Sequence, residues 1–422
     1  MTINSEKWIE SLPNEWSITK IGNHFKCRNE KVNDTDYPPL SVAKQGVVPQ
    51  IETVAKTDAN DNRKLVLMND FVINSRSDRK ESCGLSKLNG SVSLINHVLY
   101  QNGQDYYMPF VGILFKNYGF AEEFYRWGHG IVADLWTTRW QEMKNIEIPL
   151  PPLKEQKLIF DFLTNRTSKI DLLISNQEKQ IEKLKEYRQA IITKAVTKGL
   201  NPNVPMKDSE IESIGKIPLS WQIKKARYIF YSLSKGSGIS KDEIYPSGDI
   251  QCVRYGEIYS KYDLYFNKTY SKTYESRISS KTYLHYGDII FAGTGELIEE
   301  IGKNVVYLGT KKCLAGGDII VGRHRQNEKF LNYSLYCSAS QVQKSKGKAK
   351  LKVVHISSKE IGNIFVPLPS LQEQDAIAVV LDQKISNITE LVEIKKSKIE
   401  KLKKLKESLI YEYVTGKKRV SL

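Results

Sequence analysis

Between Leu153 and Ala195 the apolar residues fall on two rows at heptad spacing. One row is Leu163, Ile170, Leu184 and Ile191; the other is Phe160, Ile174, Ile181 and Ala195. Lys, Glu, Gln and Asn fill most of the positions between them. The same double row returns as Leu381, Ile388, Leu402 and Leu409 beside Ile385, Val392, Ile399 and Tyr413. Such seams predict two long helices, each packed on a partner helix. Pro149, Pro151 and Pro152 precede the first, which suits a chain that stays extended and then enters a helix. About 43 residues at roughly 1.5 Å each make a rod on the order of 60 Å. Polar residues interrupt both seams at matching places, Gln177 with Lys395 and Arg188 with Lys406. In coiled coils such residues often fix register at some cost in stability.

The two stretches are copies of one another. PLPPLKEQKLI (Pro149–Ile159) returns as PLPSLQEQDAI (Pro367–Ile377), 218 positions later and without a gap. An internal repeat of this length has to be explained before anything else. The regions ahead of each rod also correspond. Each opens on Pro-x-x-Trp (Pro13 and Trp16; Pro218 and Trp221). Each carries an inner strand signal, MNDFVINS against YGDIIFAG, and closes on a strand into prolines, NIEIPLP against NIFVPLP. The second is longer by about 13 residues near its start. Short β-branched and aromatic runs between Gly, Asn and Asp predict mixed α/β domains with curved sheets. The expected architecture is α+β: two such domains, or heads, separated by two long helices packed as an antiparallel coiled coil, in a pseudo-two-fold internal repeat. The boundaries are residues 1–150 and 216–368 for the heads, 151–200 and 369–416 for the helices, and 201–215 for a linker. Gly199 stops the first helix, and Pro202 and Pro205 turn the chain.

A chain of 422 residues with 40% hydrophobic and 26% charged residues has the composition of a folded, soluble protein. It has no apolar run of about 18 residues for a membrane span, and its polar start is not a signal peptide. Five scattered cysteines (Cys27, Cys83, Cys252, Cys313, Cys337) without a CxxC pair fit a reducing cytoplasm rather than a disulfide or zinc framework. The net charge of +15 with 23 tyrosines points first to nucleic acid. Lysines that merely solubilise the helices are the plainer alternative.

Enzyme motifs are absent. GTGELIEEIGK (Gly293–Lys303) lacks the spacing of a phosphate-binding loop and of a dinucleotide fingerprint. The six histidines show no metal-ligand spacing, and no Asn-Pro-Pro-Tyr motif of an amino-methyltransferase occurs.

The order head, PLPPLKEQ, helix, head, PLPSLQEQ, helix resembles the specificity subunits of type I restriction–modification systems over essentially the whole chain. The repeated helix ends VTKG and VTGK, and VRYGEI (Val253–Ile258) with YGDIIF in the second head, carry the resemblance further. It implies two target recognition domains, each reading one half of a split, asymmetric double-stranded DNA site, with the helices setting the spacing. It also implies docking of two methyltransferase subunits, joined by two restriction subunits. S-adenosylmethionine, ATP and Mg are expected on those partners, with no cofactor or metal on this non-catalytic, cytoplasmic chain. The first head departs from the pattern: Asn69 stands where the second has Gly287, and VRYGEI has no clear counterpart.

Candidate DNA contacts follow from residue type. In the first head they are Asn74, Arg76, Arg79 and Lys80 at a strand end, with Arg126, His129 and Arg139 in RWGHGIVADLWTTR. In the second they are Lys235 and Ser237, Arg254 and Tyr255, Arg323 and Arg325, and Lys344, Lys346, Lys348 and Lys350 in an expected flexible basic loop. Arginine suits bidentate reading of guanine, and lysine suits phosphate. The competing readings are a self-contained methyltransferase or endonuclease, and a structural coiled-coil adaptor.

Overall fold

The computed structural model describes residues 8–51, 61–130, 136–295, 297–348 and 354–420. It forms two compact units, Met1–Glu178 with Lys396–Leu422, and Lys179–Lys395. The long helices run over Leu153–Lys198 and Leu371–Val414. The division therefore falls within both helices, and each unit holds one head with a part of each helix.

In the first unit, strand Ser17–Lys20 pairs antiparallel with Glu147–Leu150 and brings the start of the head to its end. Four strands follow in the spatial order Phe25–Cys27, Asn96–Gln101, Phe71–Asn74, Cys83–Leu85. Successive strand side chains face opposite ways. Accordingly Phe71 and Ile73 enter the main core, while Val72 joins a smaller cluster with Leu40, Val66, Val92 and Val98. That double burial is why Phe71, Val72 and Ile73 read as a continuous apolar run. Helices Met108–Leu114 and Tyr118–Arg126 supply Phe110, Val111, Phe120 and Phe124 to the main core, with Phe115 and Phe120 stacked at 4.5 Å. Asn117 starts the second of these by accepting the Phe120 N–H (3.1 Å). Ile159 and Leu163 of the first long helix and Val414 of the second enter the same core. Phe162 and Tyr413 pack at 4.6 Å, and Lys406 meets Asp171 at 2.7 Å.

In the second unit a five-stranded sheet runs Phe230–Lys235, Ile319–His324, Ile289–Ala292, Asn304–Tyr307, Tyr265–Phe266. A four-stranded sheet runs Ser271–Thr273, Ile250–Val253, Cys313–Ala315, Tyr283–Leu284. Strand alternation again splits neighbours: Ile289 and Phe291 enter one cluster, Ile290 and Ala292 another. A third cluster joins Trp221, Phe330 and Tyr333 of the head to Ile192, Ala195 and Val196 of the first long helix and Ile377, Leu381 and Ile385 of the second. Lys395 reaches Gln180 at 2.6 Å. In both units, then, an early part of one long helix lies against a late part of the other, the antiparallel arrangement expected from the order of heads and helices.

Seam burial is uneven. Leu163, Ile170, Ile181, Leu381, Ile385, Ile388 and Ile399 are buried. Ile174, Leu184, Val392, Leu402 and Leu409 are partly covered. Near the end of the first helix the buried position moves from Ile191 to Ile192, because there the helix packs into a head rather than only on its partner. Of the polar breaks, Gln177 is buried in the seam, while Lys395 and Lys406 reach the facing helix.

The helices enter from their heads through one device used in both units. Gln156 accepts the Tyr107 N–H (2.8 Å) and donates to the Pro151 carbonyl (2.9 Å). Gln374 accepts the Asn327 N–H (3.1 Å) and donates to the Pro369 carbonyl (3.0 Å). Asn69 and Gly287 likewise take the same left-handed conformation, φ 71° and 86°. Asparagine is among the few residues that tolerate it. The next residue then caps its own turn: Asp70 accepts the Leu67 N–H (2.8 Å) and Asp288 the His285 N–H (2.9 Å). The linker region carries structure, since Met206–Asp208 pairs with Lys216–Pro218. No helix among the described residues is long and apolar enough to cross a membrane.

Candidate nucleic-acid interface

In the first head the strand Phe71–Asn74 ends where Asn74 accepts the Arg76 N–H (3.0 Å), and a short 3-10 turn follows at Ser77–Arg79. This turn lies against residues 136–138. Ser77 N–H donates to Trp136 O (2.8 Å), Thr138 N–H to Ser75 O (3.0 Å), and Arg76 and Thr137 form an antiparallel bridge. Thr137 also exchanges both backbone bonds with His129 (3.1 Å each). Two stretches picked out separately in the sequence thus form one surface. It carries Asn74, Arg76, Arg79, Lys80, Arg126, His129 and Arg139, of which Arg79, Lys80, Arg126, His129 and Arg139 are solvent-facing. Residues 131–135 lie outside the described residues.

Arg76, Lys80 and Arg126 on this surface already have carboxylate neighbours. Arg76 is 3.1 Å from Asp78, Lys80 2.9 Å from Glu122, and Arg126 3.0 Å from Glu123. Exposed pairs of this kind are worth about 0–1 kcal/mol, so a phosphate can displace them. Beneath the surface His97 is bonded to the Thr138 carbonyl (2.7 Å), and burial pulls its pKa below the ordinary histidine value. A neutral ring with its proton on Nε2 fits that contact. Trp136, 39% exposed, stands beside the basic turn and was not a sequence candidate.

In the second head the segment after Lys235 runs next to Arg254. Ser237 N–H donates to Ala315 O (2.6 Å) and Gly316 N–H to Val253 O (2.7 Å). A groove of about 540 Å³ opens there, lined by Lys241, Arg254, Tyr255, Lys261, Asp318 and their neighbours. Ser237 does not face it as a DNA contact: its side chain is fully buried and accepts the Thr282 N–H (2.7 Å). Lys235 is exposed at its strand end. Lys241 closes the candidate segment SKGSGISK (Ser234–Lys241), whereas Lys261 escaped the sequence reading because nothing local distinguishes it from other surface lysines.

The remaining candidates lie apart from the groove lining. Arg323 donates to the Tyr283 carbonyl (2.8 Å) and lies 3.4 Å from Asp288, whereas exposed Arg325 sits 5.8 Å over the Tyr231 ring. The expected flexible basic loop is corrected in part. Lys344 belongs to a helix, Ser338–Ser345, and is buried, donating to Gly302 O and Asn304 Oδ1 (2.8 Å each). A side chain so enclosed cannot meet a phosphate. Burial also lowers its pKa to about 7. Lys348 is committed to the His355 carbonyl (2.7 Å) and Glu360. Lys346 is exposed, and Lys350 lies outside the described residues. Among the described residues no group of three or more His, Cys, Asp and Glu converges as a metal site requires.

The family described as "Type I restriction modification DNA specificity domain" matches residues 137–183 and 218–404, more than half of the chain. Two relatives from Methanocaldococcus jannaschii align over 66% of this chain: the type I restriction enzyme MjaVIII specificity subunit at 30% identity, and the putative type I restriction enzyme MjaX specificity subunit at 29%. The chain spans 63% and 61% of their lengths, less than two thirds in each case. Two solved structures share the fold. One, reported under "Structural basis underlying complex assembly and conformational transition of the type I R-M system", has TM-score 0.70 and 16% identity over 96% of this chain and 99% of that one. The other, the HsdS subunit from Thermoanaerobacter tengcongensis, has TM-score 0.50 and 17% identity over 99% and 100%. The seams, the two heads and the family match together establish that this chain belongs to the type I restriction modification DNA specificity family.

Proposed function

We propose that the chain is the DNA-specificity subunit of a type I restriction–modification complex. It binds a bipartite, asymmetric duplex site, one half per head, with the two long helices as the spacer and a pseudo-two-fold repeat as the plan. It docks two methyltransferase subunits, and through them two restriction subunits, and directs adenine methylation. The chain itself is non-catalytic and cytoplasmic, and S-adenosylmethionine, ATP and Mg belong to the partners. The observation that carries this reading is that each unit bears its own basic surface, built from different residues: Arg76, Arg79 and Lys80 in one, Lys241, Arg254 and Lys261 in the other. Unlike surfaces read unlike half-sites, and the electrostatic attraction supplies affinity.

The test is a genome-wide map of methylated adenines with and without this chain. A split motif present only with the chain supports the proposal. Methylation by the purified chain alone would reject it in favour of a self-contained enzyme.

A further inference from the structure

In the groove of the second head Arg254 is held differently from the lysines around it. Its backbone N–H donates to Glu257 Oε2 (3.0 Å), and its terminal nitrogen lies 4.0 Å from Glu257 Oε1. Glu257 is itself buried and receives the Ser271 hydroxyl (2.5 Å), so the carboxylate is a fixed support. The Arg254 Nε is buried and has no hydrogen-bond partner among the described residues. Proteins leave few buried donors unsatisfied, and those few ask for a reason. The side chain keeps about a third of its surface open to the groove, 34%.

Around it stand groups of another kind. Lys241 and Lys261 are groove-lining, Lys241 without an ion pair among the described residues and Lys261 5.4 Å over the Tyr270 ring. Asp318 is the exposed counter-charge. A Cβ placed on Gly256 would meet nothing within 4 Å, so the rim is bare backbone that a duplex can approach closely. A planar fork braced from behind by a buried carboxylate suits the O6 and N7 pair of guanine, which has one geometry. Mobile ammonium groups suit phosphates, which do not.

We propose that Arg254 reads one guanine of the half-site taken by the second head, with Lys241 and Lys261 gripping the phosphates beside it. This rests on the DNA-specificity reading above.

The experiment uses the full chain assembled with its methyltransferase subunits, and scores binding and methylation against a randomised half-site library at several salt concentrations. Wild type comes first: if it selects no motif, the specificity reading itself fails whatever Arg254 does. Given a wild-type motif, R254K keeps the charge and loses the fork. It is expected to lose preference for guanine at one position by about tenfold or more, with other positions unchanged. K241A is expected to weaken all sequences alike and reduce the salt slope by about one. R254Q should reproduce the guanine loss; if it does not fold, R254K alone decides. The proposal is overturned if R254K leaves base preferences intact, or if it weakens all sequences uniformly as K241A does, which would make Arg254 a phosphate contact only.

Discussion

Arg76 and Thr137 pair across a single antiparallel bridge, and that bridge fastens the basic turn at Ser77–Arg79 to the segment carrying Trp136 and Arg139. Thr137 also donates its N–H to His129 (3.1 Å). Replacing it with proline removes that donor. T137P is expected to lower methylation at sites that vary only in the first head's half, by about tenfold, with selection in the other half unchanged. R79A, which alters charge and not shape, should instead lower affinity for all duplexes and reduce the salt slope by about one. Binding titrations over a salt series separate the two.

Gln156 and Gln374 each satisfy backbone groups where a head meets a long helix, and both are buried. Truncation to alanine leaves those groups without partners, at a cost of about 1–3 kcal/mol each. Chemical denaturation of Q156A and Q374A checks the magnitude. Hydrogen exchange at the Tyr107 amide in Q156A, and at the Asn327 amide in Q374A, should accelerate, because each amide loses its acceptor.

Lys344 gives the second head a pH dependence. Burial holds its folded pKa at about 7, against 10.5 for an ordinary exposed lysine. Between those values the unfolded chain carries the proton and the folded chain does not, so stability rises with pH across that window. Below it both states are protonated and the burial penalty is present in full. K344M removes the titrating group. The stability difference, wild type minus K344M, should therefore increase as pH climbs from about 7 toward 10 and stay flat below about 6. Urea midpoints of both proteins across that range measure it; a flat difference throughout would show that the ammonium keeps its charge.

Inserting one heptad into both long helices preserves the seam and lengthens each by about 10 Å, close to three base pairs of duplex. The expected result is a longer unread spacer in the methylated motif with the same bases in each half. A change of bases within a half would mean that the heads do not read independently.

The long helices were legible because their signal is local and cumulative: a 3–4 spacing repeated over many turns. Sheet order was not, since Phe71–Asn74 pairs with Asn96–Gln101 and Cys83–Leu85 through contacts that no periodicity encodes. The candidate contacts divide in the same way. Residue type alone picked out Arg76, Arg79 and Arg254 as candidates. It misjudged Lys344, because a run of lysines reads as solvated unless one knows that Asn304, 40 positions earlier, offers it an oxygen in the interior. Asn69 looked like a departure from the Gly287 pattern, yet it adopts the same backbone. The difference lay in the letter, not in the conformation.

The ties between residues 8–15 and 411–419 in the first unit bear on the order of synthesis. Tyr411 donates to the Trp8 carbonyl (2.9 Å), Lys417 meets Glu10 (2.9 Å) and Arg419 meets Glu15 (3.0 Å). The second unit, Lys179–Lys395, is contiguous and can close while the ribosome is still translating. The earlier segment of the first unit is made before the second unit, yet part of its apolar interior stays uncovered until the segment after Lys395 is made. In a nascent chain, that early-made, late-completed half is the place where a chaperone would be needed.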